Sequence, residues 1–122
     1  MKTDQKFDLE ERTAKFSEMV IEFCNGIEET IINKPLISQL VRSSTSIGAN
    51  YFEANGASSK QDFRNKIYIC RKEARETGYW LRLITKSNPV VKEKADNLFA
   101  EVKQLMLIFS KIILSLEKRV VK

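Results

Sequence analysis

Arg42, Asn50, Glu53 and Glu76 are the residues of this chain whose types come nearest to a catalytic set. Two carboxylates beside an arginine and a carboxamide can do general acid–base work, provided a cleft holds a substrate between them. The sequence of 122 residues has no histidine, which removes histidine triads, histidine bases and most zinc sites. It has no phosphate-binding glycine loop, no metal-ligand spacing and no nucleophile–base pair. The expectation is a protein that is not an enzyme, with no catalytic residues, no metal and no cofactor.

The four residues have a simpler use. Gln39, Ser43, Ser46, Asn50 and Glu53 recur at alternating steps of four and three, and Leu40, Ser44, Ile47 and Tyr51 run beside them. On a helix these are two adjacent stripes, one polar and one apolar. Arg42, Ser43, Ser46, Asn50, Glu53 and Glu76 are therefore read as an interhelical polar network, with a ligand site or a catalytic site as alternatives. On this reading Glu53 is buried, and Glu53→Ala should cost more stability than Glu22→Ala.

A second pattern is cationic. Lys60, Arg64, Arg71, Arg75, Arg82 and Lys86 share one side of a helix at steps of four and seven. Such a row can track a phosphate backbone; it can equally be a solvated face, with Arg71 turned inward to a carboxylate. Few aromatic residues accompany it, Tyr68 and Tyr79 being nearest, so stacking on bases should contribute little. The formal net charge is +5, and it is unevenly spread. Residues 1–33 hold eight acidic and four basic side chains, whereas residues 58–88 hold eight basic and three acidic ones.

Positioning these residues requires four helices. Residues 8–29 carry an inner stripe of Leu9, Thr13, Phe16, Val20, Phe23 and Ile27. Asn33 and Pro35 suit the cap and first turn of a second helix, read over 35–54, with Gly48 hinting at close approach by a neighbour. Ser58 or Ser59 caps a third over 59–86, with Gln61 or Asp62 three residues on, and its stripe includes Phe63, Ile67, Cys70, Ala74, Thr77, Leu81 and Ile84. Asn88 and Pro89 open a fourth over 89–118, with Val91, Ala95, Leu98, Val102, Leu105, Phe109, Ile112 and Leu116 inward. The result is a single all-α domain over 1–122, an antiparallel up-down-up-down four-helix bundle. The opening residues are too polar for a signal peptide, and no apolar run reaches the ~20 residues of a membrane span. Cys24 and Cys70 fall on apolar faces, as reduced core thiols of a cytoplasmic protein would.

The fourth helix has apolar residues to spare. Phe99, Met106, Ile113 and Val120 form a row outside the core stripe, and Leu107, Leu114 and Val121 form another. A helix apolar most of the way round seeks burial on more than one side, so Phe99, Met106, Ile113 and Leu114 are read as an oligomer interface. Ile113→Glu should then break assembly before helicity.

These segments also resemble a known family. Gln39-Leu40-Val41-Arg42-Ser43, Ser46-Ile47, Asn50, Glu53-Ala54 and Ser59-Lys60-x-Asp62-Phe63 are similar to the signature of the bacterial ribosomal-RNA intervening-sequence proteins. The similarity continues through Ile69-Cys70-Arg71-Lys72-Glu73-Ala74-Arg75-Glu76-Thr77 and Tyr79-Trp80-Leu81. It implies a four-helix bundle assembling as a ring-like homopentamer. It also implies kinship with the accessory variability protein of diversity-generating retroelements, a basic barrel that binds nucleic acid and a reverse transcriptase. The expected function is a weak, sequence-tolerant RNA- or DNA-binding accessory factor acting as a homo-oligomer, with no membrane role. The alternative is a scaffold that docks a helical or reverse-transcriptase-like protein partner.

Overall fold

The boundaries between consecutive helices have local chemical reasons, and three of those reasons differ from the sequence reading. The computed structural model describes residues 5–121, with side chains described over 9–118. Helix α1, Gln5–Asn25, stops four residues before the expected Glu29. At Asn25-Gly26 the backbone tightens instead: Gly26 N–H donates to Phe23 O (3.2 Å) and Ile27 N–H to Cys24 O (3.1 Å). Glycine favours this exit because it gains least from helical order. Ile27 still reaches the core, from the loop.

Helix α2 spans Asn33–Asn55, and Asn33 is its first residue rather than its cap. Thr30 does the capping, its Oγ1 accepting the Asn33 N–H at 3.0 Å. That frees the Asn33 carboxamide for other partners. Helix α3, Lys60–Ser87, is capped by Ser59, the second of the two serines offered, its hydroxyl accepting from Asp62 N–H at 3.0 Å. After it, Pro89–Val91 form one 3₁₀ turn before α4, Lys92–Val121. The Asn88 side chain makes no cap bond there. Among the described residues there is no strand, and no helix is long and apolar enough to cross a membrane.

The four helices close a ring of contacts consistent with a four-helix bundle: α2 packs on α1 and α3, and α4 packs on α3 and α1. Phe16, Val20, Leu40, Ile47, Ile67, Leu81, Ile84, Leu105 and Phe109 fill the centre, each 1% exposed or less. Gly48 faces α1, but a Cβ there would stand 3.4 Å from Thr13 Oγ1 and 3.5 Å from Thr13 O, an ordinary contact that does not call for glycine. Cys24 and Cys70 are buried free thiols. Burial pushes them up to about 11 and about 12 respectively, so neither is a ready nucleophile at neutral pH.

The α4 stripe corrects the interface reading. After Phe109 the buried position is Ile113, 2% exposed, while Ile112 and Leu116 are half-buried. One helical turn of 3.6 residues carries Phe109 to between 112 and 113. Both are isoleucine, so spacing alone does not choose. Met106 is also half-buried, packed against the core. Of the four residues assigned to an interface, Phe99 and Leu114 remain on the surface, 45% and 58% exposed. The Val120 and Val121 side chains lie outside the described residues.

Candidate functional site

The polar residues of α2 divide into four separate arrangements. Ser43 is fully buried, and its hydroxyl meets Thr77 Oγ1 of α3 at 2.8 Å. Arg42 crosses the same boundary: Nη1 donates to Glu73 Oε1 at 3.1 Å, Nη2 to Glu76 Oε1, and Nε to Gln39 Oε1 at 2.9 Å. Ser46 and Asn50 pair with each other along α2, Asn50 Nδ2 donating to Ser46 Oγ at 3.0 Å. Glu53 is not buried. Its side chain is 57% exposed and holds Lys66 Nζ at 2.9 Å on the surface.

The carboxylate that matters is one the sequence reading passed over. Glu73 is 6% exposed and is neutralised by Arg42, with Lys72 Nζ at 3.8 Å. Two acids sharing one arginine are occupied with each other, which suits a fixed helix–helix seam rather than proton transfer to a substrate. Arg42→Ala strands the buried Glu73 charge, at a cost of roughly 1–3 kcal/mol. Glu53→Ala breaks a solvent-screened pair and should barely move the midpoint. Thermal or urea denaturation of the two variants checks the order; equal shifts would mean Glu73 finds another cation.

The cationic row of α3 is accessible. Lys60, Arg75, Arg82 and Lys86 are exposed, and Arg64 and Arg71 are half-buried. Arg71 does not turn inward to a carboxylate; its guanidinium lies 5.4 Å from the centre of the Tyr68 ring. Tyr68 Oη in turn donates to Glu117 of α4. Among the described residues, none of the six cations has a carboxylate within ion-pair distance.

This row forms one lip of a groove that the sequence did not disclose. Between α3 and α4 lies a cavity of about 510 Å³. Arg75, Tyr79 and Arg82 line it from α3, and Phe99, Lys103 and Met106 from α4. Its floor is mostly apolar, with Ala74, Gly78, Leu81, Ala95 and Val102 beneath. Asp96, also at the groove, is held by Lys92 at 2.7 Å. Gly78 allows the two helices to meet here: a Cβ would stand 3.0 Å from Phe99 Cε1. Residues assigned separately to a cationic row and to an apolar interface therefore share one surface. A second cavity, about 760 Å³, lies near the α2–α3 turn and includes Lys60, Phe63 and Arg64. Lys103 was the member sequence reasoning missed, because nothing on α4 alone marks it.

A family model described as 23S rRNA-intervening sequence protein matches residues 5–111 of the chain. The chain is similar to a solved structure from Bacteroides thetaiotaomicron, a protein of unknown function from the S23 ribosomal protein family. The two are 30% identical with a TM-score of 0.76, over 85% of this chain and 96% of that one. Among curated proteins there is no match.

Proposed function

The chain belongs to the 23S rRNA-intervening sequence protein family, and on that premise we propose that it is a non-enzymatic, oligomeric nucleic-acid-binding accessory protein. The observation that carries this reading is the α3 cationic row, six side chains with no ion-pair partner among the described residues. Like charges spaced four apart repel by a few tenths of a kcal/mol unless an anion lies over them. A phosphate backbone supplies such anions at regular intervals and asks for no particular base.

The protomer in this reading is an up-down-up-down bundle. That order is supported by facing pairs whose numbers rise on one helix as they fall on the next. Ser17 meets Ser44 while Glu10 meets Asn55, and Ser43 meets Thr77 while Glu53 meets Lys66. Copies assemble into a homopentameric ring, which repeats the cationic row around the assembly and lets weak contacts act together. Exposed Leu107 and Leu114 on α4 supply apolar surface for contact between copies or with a partner. Two free core thiols fit the reducing cytoplasm.

Fluorescence anisotropy at low and moderate salt tests the reading. Affinity should fall with salt by about 0.9 log units per log unit for each duplex phosphate neutralised. Arg64→Glu combined with Arg75→Glu should abolish binding and leave the particle mass unchanged in light scattering. Absence of binding at low salt, or binding unchanged in the double variant, would transfer the proposal to a protein-docking scaffold. A single 14.1 kDa species at micromolar concentration would remove the ring.

A further inference from the structure

We infer that the α3–α4 groove receives an unstacked base, so that the protein prefers single-stranded nucleic acid to duplex. The inference rests on the nucleic-acid reading and narrows its substrate class. Two observations drive it, the groove's composition and the distribution of charge around it.

The cationic row on its own meets phosphates only, and so favours the more densely charged duplex if it favours either. The groove adds what a single strand can use and a duplex cannot. Tyr79 and Phe99 line it 54% and 45% exposed, Tyr79 held edge-on to Trp80 with ring centres 5.1 Å apart and Phe99 against Gly78, with a mostly apolar floor beside them. Its volume of about 510 Å³ lies within the roughly 300–1,000 Å³ typical of small-ligand sites. A base offers a flat apolar face of any sequence, and aromatic side chains take such faces with little discrimination. In a duplex those faces are stacked inside the helix, so only the groove's lips are reached.

Charge selects this occupant over a neutral apolar one. Arg75 and Arg82 line the groove from α3 and Lys103 from α4, none with an ion-pair partner among the described residues. Against these three cations the lining has one acidic residue, Asp96, which Lys92 meets at 2.7 Å on the surface. Seven residues separate Arg75 from Arg82, about 10 Å along a helix, so the lip is cationic along a length rather than at a point. An apolar floor between cationic lips matches a base flanked by its own backbone phosphates. Gly78 is part of the device. With no Cβ it lets the Phe99 ring settle against α3, which fixes that ring in the groove wall.

The test compares one labelled oligonucleotide of twelve nucleotides, single-stranded and annealed to its complement, at low salt. Wild type should bind the single strand at least tenfold more tightly. Phe99→Leu and Tyr79→Leu each keep an apolar side chain and remove the ring; each should weaken single-strand binding about tenfold while leaving duplex binding unchanged. Tyr79 is the more exposed of the two, so its variant reports even where Phe99→Leu disturbs packing. Equal affinity for both probes would overturn the groove inference and leave the nucleic-acid reading standing. Failure to bind either probe would overturn both. A drop in particle mass in either leucine variant would show that the groove holds a second copy of the chain, which also overturns the inference.

Discussion

Ile113→Glu is expected to abolish the cooperative thermal transition, while Leu114→Glu, one residue further on, leaves it nearly in place. Ile113 is 2% exposed and Leu114 is 58% exposed. Removing a buried isoleucine forfeits roughly 1.5–3 kcal/mol of apolar burial. Placing a carboxylate there without a cation adds several kcal/mol more, unless the group protonates. Together these consume much or all of the ~5–15 kcal/mol by which a domain of this kind is stable. The damage is to the protomer, so helicity and assembly should be lost together, in contrast to the order expected from an outer row. Circular dichroism melts of both variants decide the matter. A wild-type melt for Ile113→Glu would mean that the last turns of α4 do not belong to the core.

How legible each feature was depended on how many helices it involves. The inner stripes of α1, α2 and α3 could be read because helical period alone fixes which residues share a face. At Phe109 on α4 the same rule gives two answers, and with isoleucine at both positions only packing selects Ile113. The polar row of α2 fails differently. Gln39, Ser46 and Glu53 stand at steps of seven and are half-buried, half-buried and exposed, so they form the outer edge of the row, whereas Ser43 lies nearer the apolar stripe, faces α3 and is buried. The groove was beyond any one-helix pattern. Arg75 and Arg82 belong to α3, whereas Phe99 and Lys103 belong to α4, and only the approach at Gly78 puts them on one surface. Glu73 was hidden for the same reason: Arg42, which makes its burial tolerable, lies on another helix.

Asn33→Ala is the other change expected to have a large effect, through a contact between two loops. Asn33 is 2% exposed, and its carboxamide uses its full hydrogen-bonding capacity. Nδ2 donates to Glu28 O at 2.8 Å and to Asn88 Oδ1 at 2.9 Å. Oδ1 accepts from Ser87 Oγ and from Asn88 Nδ2, both at 2.9 Å. Two amides joined head to tail in this way tie the α1–α2 connection to the α3–α4 connection, and Asn88 Nδ2 carries the chain of bonds on to Ile84 O at 3.0 Å. Alanine removes four bonds at once. Ser87 is exposed and Asn88 half-buried, so water recovers part of the loss, and the expected cost is roughly 2–4 kcal/mol. For a domain of this size that is a fall of about 10 °C in Tm. Asn33→Asp gives a sharper test, since it keeps the shape and replaces two donors with charge beside two acceptors. The carboxyl introduced there should titrate above the usual carboxylate range, because the folded state favours its protonated form. Its contribution is then best preserved below the ordinary carboxylate value and is lost as pH rises through the raised one. The melting gap from wild type should accordingly widen from pH 4 to pH 7. A gap independent of pH, with an alanine variant as stable as wild type, would mean that the two loops hold together without the amide pair.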